Sequence, residues 1–301
     1  MSVAAGLAAD RAFGEPRGVP HPVALFGRAM TMTEDRVYAP DVPSGVVYAA
    51  IGVVLGGLGG VVVRSTLVAT YVAVASRALT DTAGHVRLAL EAGDLERARA
   101  LLPSLVGRDP SDLDEVEVSR AVVESVAENT VDAVVAPAAW AVVGGASGAL
   151  GYRAVNTMDA MVGHRSERYR RFGTAAARLD DVANWVPARL TALLVAIARP
   201  HRAVEVWQTV RNDAHAHPSP NAGVAEAAFA AALGIQLGGR NRYLDVAEDR
   251  PLLGDGRVVG PGDIGEAIRL SRDCTVVLGA ALLVCGLASG CRRQRRTRGR
   301  P

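Results

Sequence analysis

Gly45 to Val63 carries no charge over about the length a helix needs to cross a hydrocarbon core. That run limits the chain more than any other feature: it belongs in a bilayer or in the centre of a large bundle. Residues 131–150, 186–198 and 274–290 are the further candidate spans, the middle one the weakest. Ser65 to Ser76 is also apolar but too short to cross alone, so it either continues the first helix or forms a hairpin with it. Gly56, Gly57, Gly59 and Gly60 resemble a dinucleotide loop only superficially, because the third glycine of that fingerprint and the preceding strand are missing. Close helix packing through small residues accounts for them better.

Half of the residues are hydrophobic and only 4% are aromatic, which also favours helices that approach closely. Residues 77–120 differ in character. Charged and apolar positions alternate there at helical spacing, and the segment reads as a soluble helical hairpin on the cytosolic side, with Ser111 or Asp112 as a helix N-cap. The arginine-rich tail, 292–300, follows an apolar run and reads as the cytoplasmic anchor of a span. The expected fold class is all-α: an integral membrane helical bundle with a cytosolic helical hairpin insertion, one polytopic domain over residues 1–301. With hairpin and tail both inside, one weak segment must be re-entrant or paired. The expected location is the inner (plasma) membrane, with the active face cytoplasmic.

Other stretches are less informative. Met1 to Ala9 has no basic start and no cleavage site, so no signal peptide is expected. Asp10 to Pro22 reads as an ordered loop, His21 being held extended between two prolines. Arg242 to Asp263 reads as a surface loop. All 33 positive side chains are arginine. The missing lysine excludes a Walker A phosphate loop and lysine Schiff-base chemistry. The three cysteines show no CxxC spacing, and a net charge of +2 gives no reason to expect a nucleic-acid partner.

The polar residues that need explaining lie between Ser119 and Leu194. On a helix, Glu124, Glu128 and Asp132 share one face, with Asn129 adjoining. Like charges so placed repel unless a cation or arginines relieve them, and acids near a bilayer centre usually face a bundle interior or an aqueous cavity. Asn156 and Asp159 share a face, as do Asp180 and Asn184 with Asp181 beside them. Such oxygen donors suit Mg²⁺, which binds one or two carboxylates together with substrate phosphates. Arg153, Arg165, Arg168, Arg178 and Arg189 supply forks for phosphate or carboxylate. The His215-x-His217 pair lacks a nearby third ligand and reads as a loop feature. Asn221 and Glu226 are the better binding candidates.

Together these strings resemble one family: the membrane-bound adenosylcobinamide-phosphate synthases of cobalamin biosynthesis, the CobD/CbiB family. Its carriers are Gly14-Glu-Pro with Pro20-His-Pro22, Glu124-Ser-Val-Ala-Glu-Asn129, Tyr152-Arg-Ala-Val-Asn-Thr-Met-Asp159 and Glu167-Arg-Tyr169. Further along come Ala177-Arg-Leu-Asp-Asp181, Asn184-Trp-Val-Pro-Ala-Arg-Leu190 and His217-Pro-Ser-Pro-Asn-Ala-Gly223. The chain departs from the family's pattern at Val224-Ala225, Thr174 and Ser166.

The resemblance implies an ATP-dependent carbon–nitrogen ligase that joins adenosylcobyric acid to (R)-1-amino-2-propanol or its O-phosphate. ATP and Mg²⁺ are its implied cofactors and the corrinoid its substrate. Glu128, Asp132, Asp159 and Asp181 are then expected to hold Mg²⁺ or deprotonate the amine. Asn129, Asn156, Asn184 and Asn221 are expected to orient substrate, and Arg153, Arg168 and Arg189 to neutralise phosphate. Membrane lipid and other cobalamin-pathway enzymes are the expected partners. A corrinoid transporter and a non-catalytic scaffold for pathway enzymes are the alternatives.

Overall fold

The computed structural model describes residues 1–15, 21–107, 109–164, 166–243 and 246–298, without the side chains of 240–249 and 289–298. The arginine tail, 292–300, and Arg165 therefore lie outside the described side chains. Twelve helices follow in order among the described residues: α1 Ser2–Phe13, α2 Pro22–Val37, α3 Val42–Val63, α4 Thr66–Ala73, α5 Ser76–Glu91, α6 Leu95–Leu101, α7 Glu115–Thr130, α8 Ala136–Val162, α9 Thr174–Ala198, α10 Ala203–Asp213, α11 Ala222–Leu233 and α12 Pro261–Arg298. Among the described residues, four segments are long and apolar enough to cross a membrane: Val42–Val63, Glu115–Val162, Thr174–Ala198 and Pro261–Ala288. The chain is thus an all-α membrane bundle.

The second of these segments is not one straight rod. A five-residue π-helical turn, Val131–Val135, joins α7 to α8, and inside α8 Gly145 adopts φ 61°, ψ −140°. At Gly145 the chain reverses. A Cβ on Gly148 would lie 2.1 Å from the carbonyl oxygen of Trp140, and Asn156 touches Asp132. On a continuous helix the latter pair would be about 36 Å apart. The stretch read as a span, 131–150, is therefore the tip of an antiparallel helical hairpin, and the backbone at its turn is one that only glycine adopts cheaply.

The second limb of that hairpin packs on α3. A Cβ on Gly60 would fall 2.3 Å from Ser147 Cα, and one on Gly56 2.6 Å from Ala154 Cβ, whereas Gly57 has nothing within 4 Å. Two of the four clustered glycines thus form the contact, and Ser147 Oγ donates to the Gly57 carbonyl at 3.0 Å. Arg64, in a left-handed conformation, ends α3, so the apolar residues that follow start a separate helix, α4. In α9, Pro187 cannot donate to the carbonyl of Ala183. Trp140 Nε1 donates to that carbonyl instead, at 3.0 Å, and ties the first limb to α9.

Several local expectations change. The hairpin region breaks at Gly93, and α5 buries Leu79, Ala83, Val86 and Leu90 in the main core, so it is built into the bundle. Asp114, not Ser111 or Asp112, caps α7, in a capping box with Glu117; Ser111 turns back to Asp109. Residues 2–13 are helical, and the expected loop starts only after Phe13. His21 is extended and caps α2, its Nδ1 accepting from Val23 N. The region read as a surface loop is a β-hairpin in large part, β1 Leu237–Tyr243 paired antiparallel with β2 Val246–Leu253. Its bulge at Gly238 docks on α7: Gly238 N donates to Glu124 Oε1 at 3.0 Å, and Arg120 donates to the Gly238 carbonyl.

Candidate active site

The hairpin limbs and α9 bring six polar side chains into one hydrogen-bonded network. Asn156 Nδ2 donates to Asp132 Oδ2 at 3.2 Å and to Asp180 Oδ1 at 3.4 Å. Asn184 Nδ2 donates to Asp180 Oδ2 at 2.9 Å. Tyr152 OH donates to Asn184 Oδ1 at 2.9 Å, and Arg153 donates to Asn156 Oδ1 at 3.3 Å. Asn184 and Tyr152 are buried; Asp132, Asn156 and Asp180 are half-buried. Asn156 sits about 16 Å along its limb from the reversal at Gly145, toward the end of α8 rather than at its tip.

Around this network the acids accumulate. Asp132 is within electrostatic reach of Glu128, Asp159 and Asp180, and Asp159 of Asp181 as well. Gly163 leaves room for Asp159, since a Cβ there would lie 1.8 Å from Asp159 Oδ1. Glu128 is exposed and also lines a cleft of about 280 Å³ with Glu124, Ser125, His217, Glu226 and Arg250. The acid network and the cleft meet at Glu128.

The other expected site residues fall elsewhere. Asn129 turns back on its own helix and donates to the Ser125 carbonyl at 2.9 Å. Asp181 contributes its backbone: its carbonyl accepts from Asn221 Nδ2 at 2.8 Å, and the neighbouring Asp180 is the α9 acid in the network. Arg189 stacks on Trp185 and donates to Asn221 Oδ1 at 3.0 Å, so this pair ties α9 to the start of α11. Arg168 is engaged by Glu34, which accepts from its Nη2 at 2.9 Å and from Tyr169 OH at 2.9 Å. That bond raises the Arg168 pKa above its ordinary value, and the guanidinium lies over the Tyr38 ring at 4.1 Å. Arg168 thus fastens the α8–α9 connection to α2.

Sequence reasoning overlooked Tyr152 and preferred Asp181 to Asp180. The four-residue spacing of Asp180 and Asn184 was the available signal. His217, read as a loop feature, is buried in the cleft wall, its Nδ1 accepting from Ser219 N at 3.0 Å and its Nε2 lying 3.8 Å from Glu226 Oε1.

The donor set is entirely oxygen and suits Mg²⁺ by chemistry. Among the described residues no three His, Cys, Asp or Glu side chains stand together at metal-holding spacing. The carboxamide of Asn156 lies between two of the acids. The arrangement fits a cation that arrives with phosphate oxygens, not a closed protein cage.

The comparisons with known proteins agree over most of the chain. A family model described as "CobD/Cbib protein" matches residues 3–271. The chain is similar to the cobalamin biosynthesis protein CobD of Mycobacterium tuberculosis, with 47% identity over 300 residues covering 94% of each chain. It is 43% identical over 267 residues to the CobD of Geobacter metallireducens, covering 82% of this chain and 83% of that protein. With the cobalamin biosynthesis protein CbiB of Salmonella typhimurium it shares 38% over 304 residues, 93% of this chain and 95% of the other. No solved structure matches.

Proposed function

The chain belongs to the CobD/CbiB family and acts in cobalamin biosynthesis, and from that premise we propose that it is an amide-forming ligase. It joins a carboxylate of adenosylcobyric acid to the amine of (R)-1-amino-2-propanol or its O-phosphate. A carbon–nitrogen bond forms as one carboxylate carbon–oxygen bond breaks, the oxygen departing on the activating group that ATP supplies, and the ammonium gives up two of its three protons. Carboxylate and ammonium do not condense unaided at neutral pH, so the acid must be activated; ATP is the activator expected of the family, and we assign no residues to it.

The observation that carries this reading is the Asp132–Asn156–Asp180–Asn184 network, with Glu128 of the neighbouring cleft wall within electrostatic reach of Asp132. Acids held among apolar helices attract an ammonium ion strongly and are placed to take its proton. Glu128 and Asp159, at the margin of the network, serve this role. Asn156 and Asn184 fix the direction of approach, because each is itself fixed by a neighbour. Arg153, bonded to Asn156, supplies positive charge for a phosphate. Asp132, with either Glu128 or Asp159, would hold Mg²⁺ together with phosphate oxygens. When bound, the ion supplies the charge that lets phosphate and carboxylate approach one another.

Purified protein in micelles, given adenosylcobyric acid, either amine, ATP and Mg²⁺, tests the proposal by mass spectrometry of the corrinoid. Amide product from wild type, reduced about 100-fold or more in Asp132→Asn and Asp159→Asn, is the expected result. Undiminished product in both variants would overturn the site. No product from wild type with either amine would overturn the activity.

A further inference from the structure

Away from the acid network, α5 and the first turns of α12 enclose a groove of about 320 Å³. Its lining is unevenly charged. Arg87 comes from α5 and lies across Gly265, while Arg269 and Arg272 come from α12. Asp81 is the one carboxylate in the lining, and Arg77 pairs with it at 3.4 Å. Arg87 bonds Glu91 and Arg269 bonds Glu266. Arg272 makes no hydrogen bond or ion pair among the described residues, and its Nε is buried without an acceptor, as is the Nε of Arg87. Guanidinium donors withdrawn from water without acceptors are costly, and an anion with several oxygens relieves that cost.

What lies below the groove identifies the anion. Arg272, Val276, Leu283 and Leu287 follow one another at intervals of four, seven and four, which places them on one face of α12. Val276, Leu283 and Leu287 are all exposed, in the segment apolar enough to cross the membrane. An apolar stripe therefore runs from the hydrocarbon region up to an arginine without a counter-ion. Basic pockets at the membrane-facing ends of helices have the chemistry that anionic headgroups require.

We propose that this groove binds an anionic phospholipid. Its phosphate meets Arg272, Arg269 and Arg87, and an acyl chain lies along Val276, Leu283 and Leu287. Free phosphate offers the same oxygens but nothing for the stripe.

Native mass spectrometry of the purified full-length protein, titrated with phosphatidylglycerol, phosphatidylcholine and inorganic phosphate, tests the proposal. Phosphatidylglycerol is expected to bind about fivefold more weakly to Arg272→Gln and to Arg269→Gln, the loss corresponding to one arginine at a membrane surface. Phosphatidylcholine binding should be unchanged in both. Arg269 is exposed, so its variant preserves the test even where Arg272→Gln fails to fold. Equal phosphatidylglycerol affinity in wild type and the folded variants would overturn the site. Inorganic phosphate displacing phosphatidylglycerol at equal concentration would overturn the lipid as its occupant.

Discussion

The carboxamide of Asn156 bridges Asp132, 3.2 Å away on the opposite limb of the hairpin, and Asp180 of α9, at 3.4 Å. One NH₂ group thus serves two carboxylates from two other elements. Its replacement by a carboxylate would set three acids against one another. Asn156→Asp is expected to abolish amide formation and to lower the melting temperature in micelles. Asn156→Gln, which keeps the donor but lengthens its reach, should keep the fold while lowering turnover by at least tenfold. Product assay and thermal unfolding on the same preparations separate the two effects.

Asp180 and Asp181 are adjacent in sequence but not equivalent in space. Asp180 accepts from Asn156 and Asn184, while Asp181 meets Asn221 through its backbone. Asp180→Asn should therefore cost turnover at least tenfold more than Asp181→Asn. Equal losses would mean that the network is not where the chemistry is done.

The bond from Trp140 to the Ala183 carbonyl exists because Pro187 leaves that carbonyl without its helical donor. Trp140→Phe should cost about 1 kcal/mol or somewhat more, the price of an orphaned acceptor. In a Pro187→Ala background the restored amide N–H can satisfy Ala183, and the same Trp140 change should cost measurably less. A double-mutant cycle by thermal unfolding reads the difference.

Gly60 of α3 and Gly145 of α8 should reject alanine, while Gly57 of α3 should accept it. Gly60→Ala places a methyl group 2.3 Å from Ser147 Cα, and Gly145→Ala forces a side chain into a glycine-only conformation. Each should destabilise by roughly 2 kcal/mol or more. Gly57→Ala has open space and should be neutral or stabilising by up to about 1 kcal/mol through helix propensity.

Asp10 gives a pH signature outside the spans. Burial raises its pKa from 3.8 to about 6, opposed by hydrogen bonds from the Arg77 and Ser76 backbone. Between these values the folded chain holds the proton that the unfolded chain has lost, so stability falls as pH rises from about 4 to about 6 and then levels. Asn keeps an acceptor for Arg77 N. Asp10→Asn should therefore remove this part of the slope, read as the difference between two melting curves taken across the pH range.

Much of the candidate site's composition was legible in the sequence. Charges four apart on a helix share a face whatever the fold, so Glu124, Glu128 and Asp132, and Asp180 with Asn184, could be read as edges of one surface. Bilayer-length apolar runs likewise declare themselves, because no other environment accommodates them so readily. The long ordered strings identified the family.

What the chain by itself determined was helix content, membrane character and which polar residues needed a reason to be there. Only tertiary structure decided which way each helix turned. The reversal at Gly145 brings Asn156 back to Asp132, the rotation of α9 admits Asp180 and leaves Asp181 to the α11 junction, and Glu34 draws Arg168 away to α2. The reason is physical. A helix's period is set locally by its own backbone, but its azimuth and its partners are set by contacts between residues far apart in the sequence.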